Sequence, residues 1–270
     1  MHKLVIPGST HAMYINPLDQ KGKSLLNKNG LSQPRVVQFW RKAAARLQPT
    51  LVVDAGTNYG EILLSAAYPE HAMITAFEAN AGLIPYLSRS IAVHPNRSRI
   101  KLETSFVSDR PSEAMPFYID KLRSGNSSGF RLEDREMIEI RVKCVTIDSL
   151  FEGKTSNKDT LLFKLDVEGF EWQALRGMAR LLSTCARAAG CIEFNRLYLE
   201  NKGIRVKDFV AFLAERFLLF APNPDGRLVP LPGPNVLDSL NAYFDSDASC
   251  NDLILLSELS LVRKLEGAWS

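Results

Sequence analysis

Nowhere in the 270 residues do two cysteines stand close enough for a CxxC pair. The four present, Cys144, Cys185, Cys191 and Cys250, are too scattered for a zinc knuckle or a thioredoxin-like dithiol. They read as free thiols of a reducing compartment. Long apolar runs are missing as well, and nothing approaches the roughly 18 residues of a spanning helix. Three apolar residues before Pro7-Gly8 fall far short of a signal-peptide core. We therefore expect a cytoplasmic protein without a transmembrane segment. Charge of one sign is scarce: a net charge of +3 gives no electrostatic reason to expect nucleic acid or an anionic membrane as partner. What is present is an ordinary globular composition, long enough for one α/β domain whose core needs neither disulfide nor structural metal.

Residues 1–34 read as an N-terminal extension or lid, rich in the turn pairs Pro7-Gly8, Asn16-Pro17, Asn29-Gly30 and Gln33-Pro34. Residues 35–270 read as one domain. Val36, Val37, Phe39, Trp40, Ala43, Ala44 and Leu47 form a helical stripe, which Pro49 closes. Strands are expected at 51–53, 73–77, 100–107, 139–145, 161–165, 189–194, 217–221 and 253–256. Helices are expected at 61–67, 83–93, 147–151 and 206–215, and after Gly169. The polar stretch 108–139 reads as loop, and no helix is expected between the last two strands. This alternation implies a mostly parallel sheet with helices on both faces and a C-terminal antiparallel hairpin at its edge.

The sharpest local signal is Val52-Val53-Asp54-Ala55-Gly56-Thr57-Asn58-Tyr59-Gly60, a strand running into a glycine-containing turn. In a parallel sheet the ligand crevice opens outside the carboxyl ends of the strands. GxGxxG is absent there. Asp54 at the strand tip would repel a pyrophosphate and suits a ligand with positive charge, such as an ammonium or a sulfonium. Glu78 closes the next strand 18 residues after Gly60, near the spacing expected of an acid that binds a ribose diol. A nicotinamide-dependent oxidoreductase is the rival reading for this pair of motifs.

A second motif, Leu162-Phe163-Lys164-Leu165-Asp166-Val167-Glu168-Gly169-Phe170-Glu171, sends two more carboxylates toward the same crevice. Helix N-capping by Asp166 or Glu168 is the plainer explanation; a cation, a metal or hydroxyl donors is the other.

Taken together these blocks resemble the FkbM family of methyltransferases. The resemblance is carried by 53–60, by Phe77-Glu78-Ala79-Asn80, by Val107-Ser108-Asp109, and by Gly125-Asn126-Ser127-Ser128. It continues through Val145-Thr146-Ile147-Asp148-Ser149-Leu150, the second motif with Leu175-Arg176-Gly177, and Glu193. It implies a seven-stranded Rossmann-like methyltransferase fold and S-adenosyl-L-methionine as cofactor. It further implies O-methylation of a sugar, polysaccharide, glycolipid or natural-product hydroxyl. In this reading Asp54, Gly56, Asn58 and Gly60 serve the cofactor's amino acid part. Glu78 takes the ribose, and Ser108 and Asp109 approach the adenine. Asp166, Glu168 and Glu193 are the candidates for base or acceptor contact, with Asp166 favoured as base. No metal ligand is assigned, and His94, at a helix end, is read as structural. A catalytically inactive methyltransferase fold is the non-enzyme alternative.

Overall fold

Leu51–Ala55 and Thr160–Leu165 are buried at every position, a pattern that a strand covered on both faces allows. The computed structural model describes residues 1–132, 135–231, 236–246 and 251–266, with backbone alone at 244–246. Its strands are β1 (His2–Val5), β2 (Ala12–Ile15), β3 (Leu51–Ala55), β4 (Met73–Phe77), β5 (Ile100–Glu103), β6 (Phe106–Val107) and β7 (Ser112–Asp120). They continue as β8 (Met137–Val145), β9 (Thr160–Leu165), β10 (Arg187–Glu193), β11 (Leu218–Pro222), β12 (Leu228–Pro230) and β13 (Asp252–Leu256). The helices are α1 (Gln20–Asn27), α2 (Pro34–Leu47), α3 (Ile84–Ala92), α4 (Ile147–Phe151) and α5 (Glu171–Arg176). After them come α6 (Ala179–Thr184), α7 (Arg196–Asn201), α8 (Val206–Ala214), α9 (Val236–Ser246) and α10 (Leu259–Glu266).

The main sheet has eight strands in the order β12-β11-β13-β10-β9-β3-β4-β5. Strands β10, β9, β3, β4 and β5 are mutually parallel. β13 runs antiparallel to both neighbours, β10 and β11. The mixed α/β fold with a mostly parallel sheet is thus as the sequence implies, with two corrections. The antiparallel pair does not form the edge, because β13 is inserted beside β10 and the short β12 pairs outside β11. A helix, α9, does lie between the last two long strands.

Alternate residues of each strand face opposite sides, and this divides the core in two. Val52, Ile74, Leu162 and Ile254 join the α2, α3 and α10 side. Val53, Phe163, Leu165 and Leu255 join the side of α5 and α8. The stripe of α2 is buried as its period predicts, and the helix stops at Gln48, which turns left-handed before Pro49. Trp40 donates its indole N–H to the Tyr68 hydroxyl at 2.6 Å, so its polar edge is satisfied inside the core. Trp40, Phe39 and Phe163 are core residues as expected, and Trp172 stacks on Phe209 and Phe212.

Two features lay hidden from periodicity. Residues 1–34 form a β1–β2 hairpin and α1, with Ile6, Met13, Ile15 and Leu25 fully buried in the core that α2 shares. Within 108–139 lies β7, paired antiparallel to β8, which joins β6 in a second sheet. Its outer residues Ser112, Glu113 and Ala114 are exposed, so its sequence carries no apolar run. Residues 61–67 make only a single 3-10 turn at Leu63–Ser65. No described helix is long and apolar enough to cross a membrane. Cys144, Cys185 and Cys191 are free thiols, and Cys250 lies outside the described residues.

Candidate functional site

The carboxyl ends of β3, β4 and β9 meet at one cleft with about 770 Å³ of empty space, part of it open to solvent. Immediately after β3 the chain turns at Gly56, whose φ of +78° is left-handed. A Cβ there would lie 1.7 Å from the Asp166 carbonyl oxygen, so the constraint is the neighbouring strand end rather than an occupant of the crevice. The amides of Gly56 and Thr57 both donate to the Phe77 carbonyl at 3.0 Å, which locks the turn to the end of β4. Asn58 is also left-handed, and its amide donates to Glu78 Oε2 at 2.8 Å. Glu78 Oε1 accepts from the Asn80 amide at 2.7 Å. Burial pushes the Glu78 carboxyl up to about 7, against those amide bonds that favour its charge.

Asp54 and Lys164 are register partners on adjacent parallel strands, so their side chains share one face of the sheet. Lys164 Nζ lies 3.5 Å from Asp54 Oδ1 and 3.2 Å from Asp166 Oδ2, and it donates to the Gly56 carbonyl at 3.1 Å. Burial opposes the Lys164 charge, but Asp166 and Asp54 outweigh it and hold its pKa above the ordinary lysine value. Asp54 is fully buried and pushed upward by that burial; neither of its oxygens receives a hydrogen bond. The cation expected among these carboxylates is therefore supplied in part by the chain itself, at Lys164.

The turn after β9 is strained, with Glu168 at φ +50° followed by Gly169 at +93°. Its amides are collected by Glu171, whose Oε1 accepts from Val167 at 3.0 Å and Gly169 at 3.2 Å. Neither Asp166 nor Glu168 caps the helix: α5 begins without a side-chain cap, and Glu171 plays the bracing part. Ser128 donates to the Glu168 carbonyl at 2.6 Å, tying the turn to the β7–β8 segment. Asp166, Glu168 and Glu193 each bring a carboxylate oxygen within 4.8 Å of the others. Burial first, then the neighbouring acids, pushes Glu168 and Glu193 well above the usual carboxylate range. Glu193 Oε1 accepts from Asn251 Nδ2, while its buried Oε2 has no hydrogen-bond partner.

The roof comes from the two hidden features. Lys21, Leu25 and Gln33 of the N-terminal segment line the cleft opposite Phe117, Ser124, Gly125 and Ser127. Asp19 clasps them together: its oxygens accept from the Ser124 amide at 2.9 Å, the Ser124 hydroxyl at 2.8 Å and the Tyr59 hydroxyl at 2.9 Å. Glu61 fixes the same segment from below, accepting from the amides of Ser32 and Gln33 and from the Ser32 hydroxyl.

A family profile described as the methyltransferase FkbM domain matches residues 54–218, more than half of the chain. The chain belongs to the FkbM methyltransferase family. Among solved structures it is similar to a methyltransferase FkbM from Methylobacillus flagellatus KT, with 14% identity and a TM-score of 0.43. That similarity covers 77% of this chain and 43% of the other, so this FkbM methyltransferase spans less than half the length of that relative. It is also similar to a SAM-dependent O-methyltransferase from Thermotoga maritima (11% identity, TM-score 0.42, 87% of this chain and 69% of the other). An rRNA methylase from Streptococcus thermophilus is a further neighbour, with 13% identity, TM-score 0.38, and coverage of 83% and 93%. No match was found among curated protein sequences.

Of the residues singled out in this FkbM methyltransferase, Gly56, Asn58, Glu78, Asp166 and Glu168 line the cleft. Asp54 and Gly60 lie behind its wall, and Glu193 stands beside Glu168. Ser108 and Asp109 are not in the lining; Asp109 pairs with Arg176 at 3.3 Å. Ser105, Phe106 and Val107 occupy that wall, and the Ser105 hydroxyl is buried without a partner. His94 is buried away from the cleft, between the Ala66 carbonyl and the Asn96 amide. Lys164, Glu171, Lys21 and Ser105 escaped the sequence reading. Lys164 alone had a visible signal, a lysine inside the apolar strand Leu162-Phe163-Lys164-Leu165.

Proposed function

We propose that this methyltransferase uses S-adenosyl-L-methionine to methylate a hydroxyl group of a sugar, polysaccharide, glycolipid or natural-product acceptor. The observation that carries the reading is the meeting, in one cleft of a chain of this family, of the Gly56–Asn58 turn, the Glu78 carboxylate and Asp166. The donor set fits the cofactor. Glu78 keeps lone pairs for a ribose diol beyond the two amides it already accepts. The unpartnered Ser105 hydroxyl, with Phe106, Val107 and Phe117, offers an apolar slot with one polar group for a purine. The buried, unsatisfied oxygens of Asp54 favour a cationic amino acid part on the other side of the turn.

When bound, S-adenosylmethionine supplies a methyl group made electrophilic by its sulfonium. The residues of this chain then have to position an acceptor oxygen and take its proton. Asp166, fixed by Lys164, is assigned as base. Glu168 and Glu193, pushed toward their neutral forms, offer O–H donors and acceptors to further hydroxyls of the acceptor. A small or carbohydrate acceptor suits this cluster and the modest net charge better than a polyanion.

Two measurements test the proposal. Calorimetric titration is expected to show binding of S-adenosylhomocysteine and none of NAD; the reverse order would turn the reading toward an oxidoreductase. Asp166→Asn keeps a side chain of the same shape beside Lys164, so cofactor binding is expected to survive. Methyl transfer should fall by roughly 10²- to 10⁴-fold, the range for a lost general base. Undiminished transfer in D166N would remove Asp166 from that role.

A further inference from the structure

The floor of the cleft is dominated by acids: Glu61, Glu78, Asp166 and Glu168 all line it, with Asp54 just beneath. Two lysines oppose them. Lys164 is already engaged by Asp54, Asp166 and the Gly56 carbonyl. Lys21 is different. It projects into the lining from α1, and its Nζ makes one hydrogen bond, to the Ser32 hydroxyl at 3.2 Å, leaving two N–H donors. No carboxylate of the described residues lies within ion-pair distance of it, although Glu168 feels its charge across the cleft. Glu168 is no effective counter-ion, since burial and its acidic neighbours push it toward the neutral form. On the same wall Gln33 opens the 14-residue helix α2, whose positive end adds to the field there.

We infer that Lys21 receives the carboxylate of the cofactor's amino acid part, so that the N-terminal segment is a component of the cofactor site. The inference rests on the proposed use of S-adenosylmethionine and adds to it a residue outside the region that the family profile matches. A zwitterionic amino acid group needs an acid for its ammonium and a base for its carboxylate; Asp54 and the Gly56–Asn58 turn offer the first. Lys21 is the lining cation still free to offer the second. Its position is not left to chance. Asp19, two residues earlier, pins the start of α1 to Tyr59 and Ser124, and Glu61 pins Ser32 and Gln33.

The test compares S-adenosylhomocysteine with its decarboxylated form, S-adenosyl-3-thiopropylamine, by calorimetric titration of the full chain. Wild type is expected to prefer the carboxylate-bearing ligand roughly 10- to 100-fold, the worth of a charge-assisted hydrogen bond. In Lys21→Met this preference should collapse toward unity, with the decarboxylated ligand bound as in wild type, and Lys21→Arg should recover most of it. An unchanged preference in K21M overturns the inference. So does equal weakening of both ligands, which would assign Lys21 a structural role in the flap. Should neither ligand bind wild type, it is the cofactor reading itself that fails.

Discussion

Lys164 shows how much a single side chain carries in this site. It is buried under the cleft and holds Asp54 and Asp166, which sit on different strands, at 3.5 and 3.2 Å. Removing one partner of a buried ion pair leaves the others uncompensated, at a cost of about 3–5 kcal/mol. Lys164→Met is therefore expected to lower unfolding stability by an amount in that range, measured by chemical denaturation at pH 7. The double variant with Asp54→Asn should recover part of the loss, because one orphaned charge is gone. If K164M costs less than about 1 kcal/mol, the triad is not an electrostatic keystone. Asp54 and Asp166 were readable from sequence because each closes an apolar strand in front of a glycine-containing turn. Lys164 was harder to place, because its role depends on the register of β9 against β3, and pairing distances between strands are not encoded in either strand alone. Lys21 and Ser105 lie in segments without a motif, and only the folded chain brings them to the cleft.

Elements were legible where one face is buried and the other wet, and obscure where that contrast vanishes. The stripe of α2 and the fully apolar β3, β4 and β9 stand out on this ground. Residues 61–66 fail it in the opposite sense: every one is buried, Glu61 included, so a helical period there predicted nothing about length. β1 is largely exposed and β7 begins exposed, so neither shows alternation. The junction after α3 carries a pH-dependent fastening between such elements. His94 Nε2 donates to the Ala66 carbonyl at 3.0 Å, and Nδ1 accepts from the Asn96 amide at 3.1 Å, which requires the neutral ring. Burial first, then the nearby His11 ring, lowers its pKa from 6.5 to about 4. The native state therefore binds fewer protons than the unfolded chain between those values, and stability from this group falls as pH drops from 6.5 toward 4. At pH 5 the loss is roughly 2 kcal/mol. His94→Gln, unable to titrate, is expected to show a correspondingly flatter decline between pH 7 and pH 5 in parallel denaturation series. Parallel slopes for the two proteins would mean that His94 contributes nothing to acid sensitivity.

Across the whole molecule the cleft is assembled from pieces that are distant in sequence: the N-terminal segment, the turns after β3, β4 and β9, and the β7–β8 segment. The parallel sheet fixes the floor, and its strand tips were placed correctly by the alternation of elements. The roof depends on Asp19 joining two parts of the chain more than a hundred residues apart, a contact no local pattern announces. Residues 1–34 also contribute Ile6, Met13, Ile15 and Leu25 to the common core, so this segment carries stability as well as part of the site. A ligand filling the cleft would bind floor and roof together and favour the native state alone. At one hundred times its dissociation constant such a ligand adds about 2.7 kcal/mol, which for a chain of this size corresponds to a rise in Tm of roughly 5–10 °C. With S-adenosylhomocysteine we expect that rise in a thermal scan. In hydrogen exchange, protection should increase together in three regions: 12–31, 54–80 and 117–128. Protection confined to 54–80 would mean that the ligand rests on the sheet tips without engaging the roof. Joint protection of all three is the behaviour of a site in which the clasp at Asp19 must open before the ligand can leave.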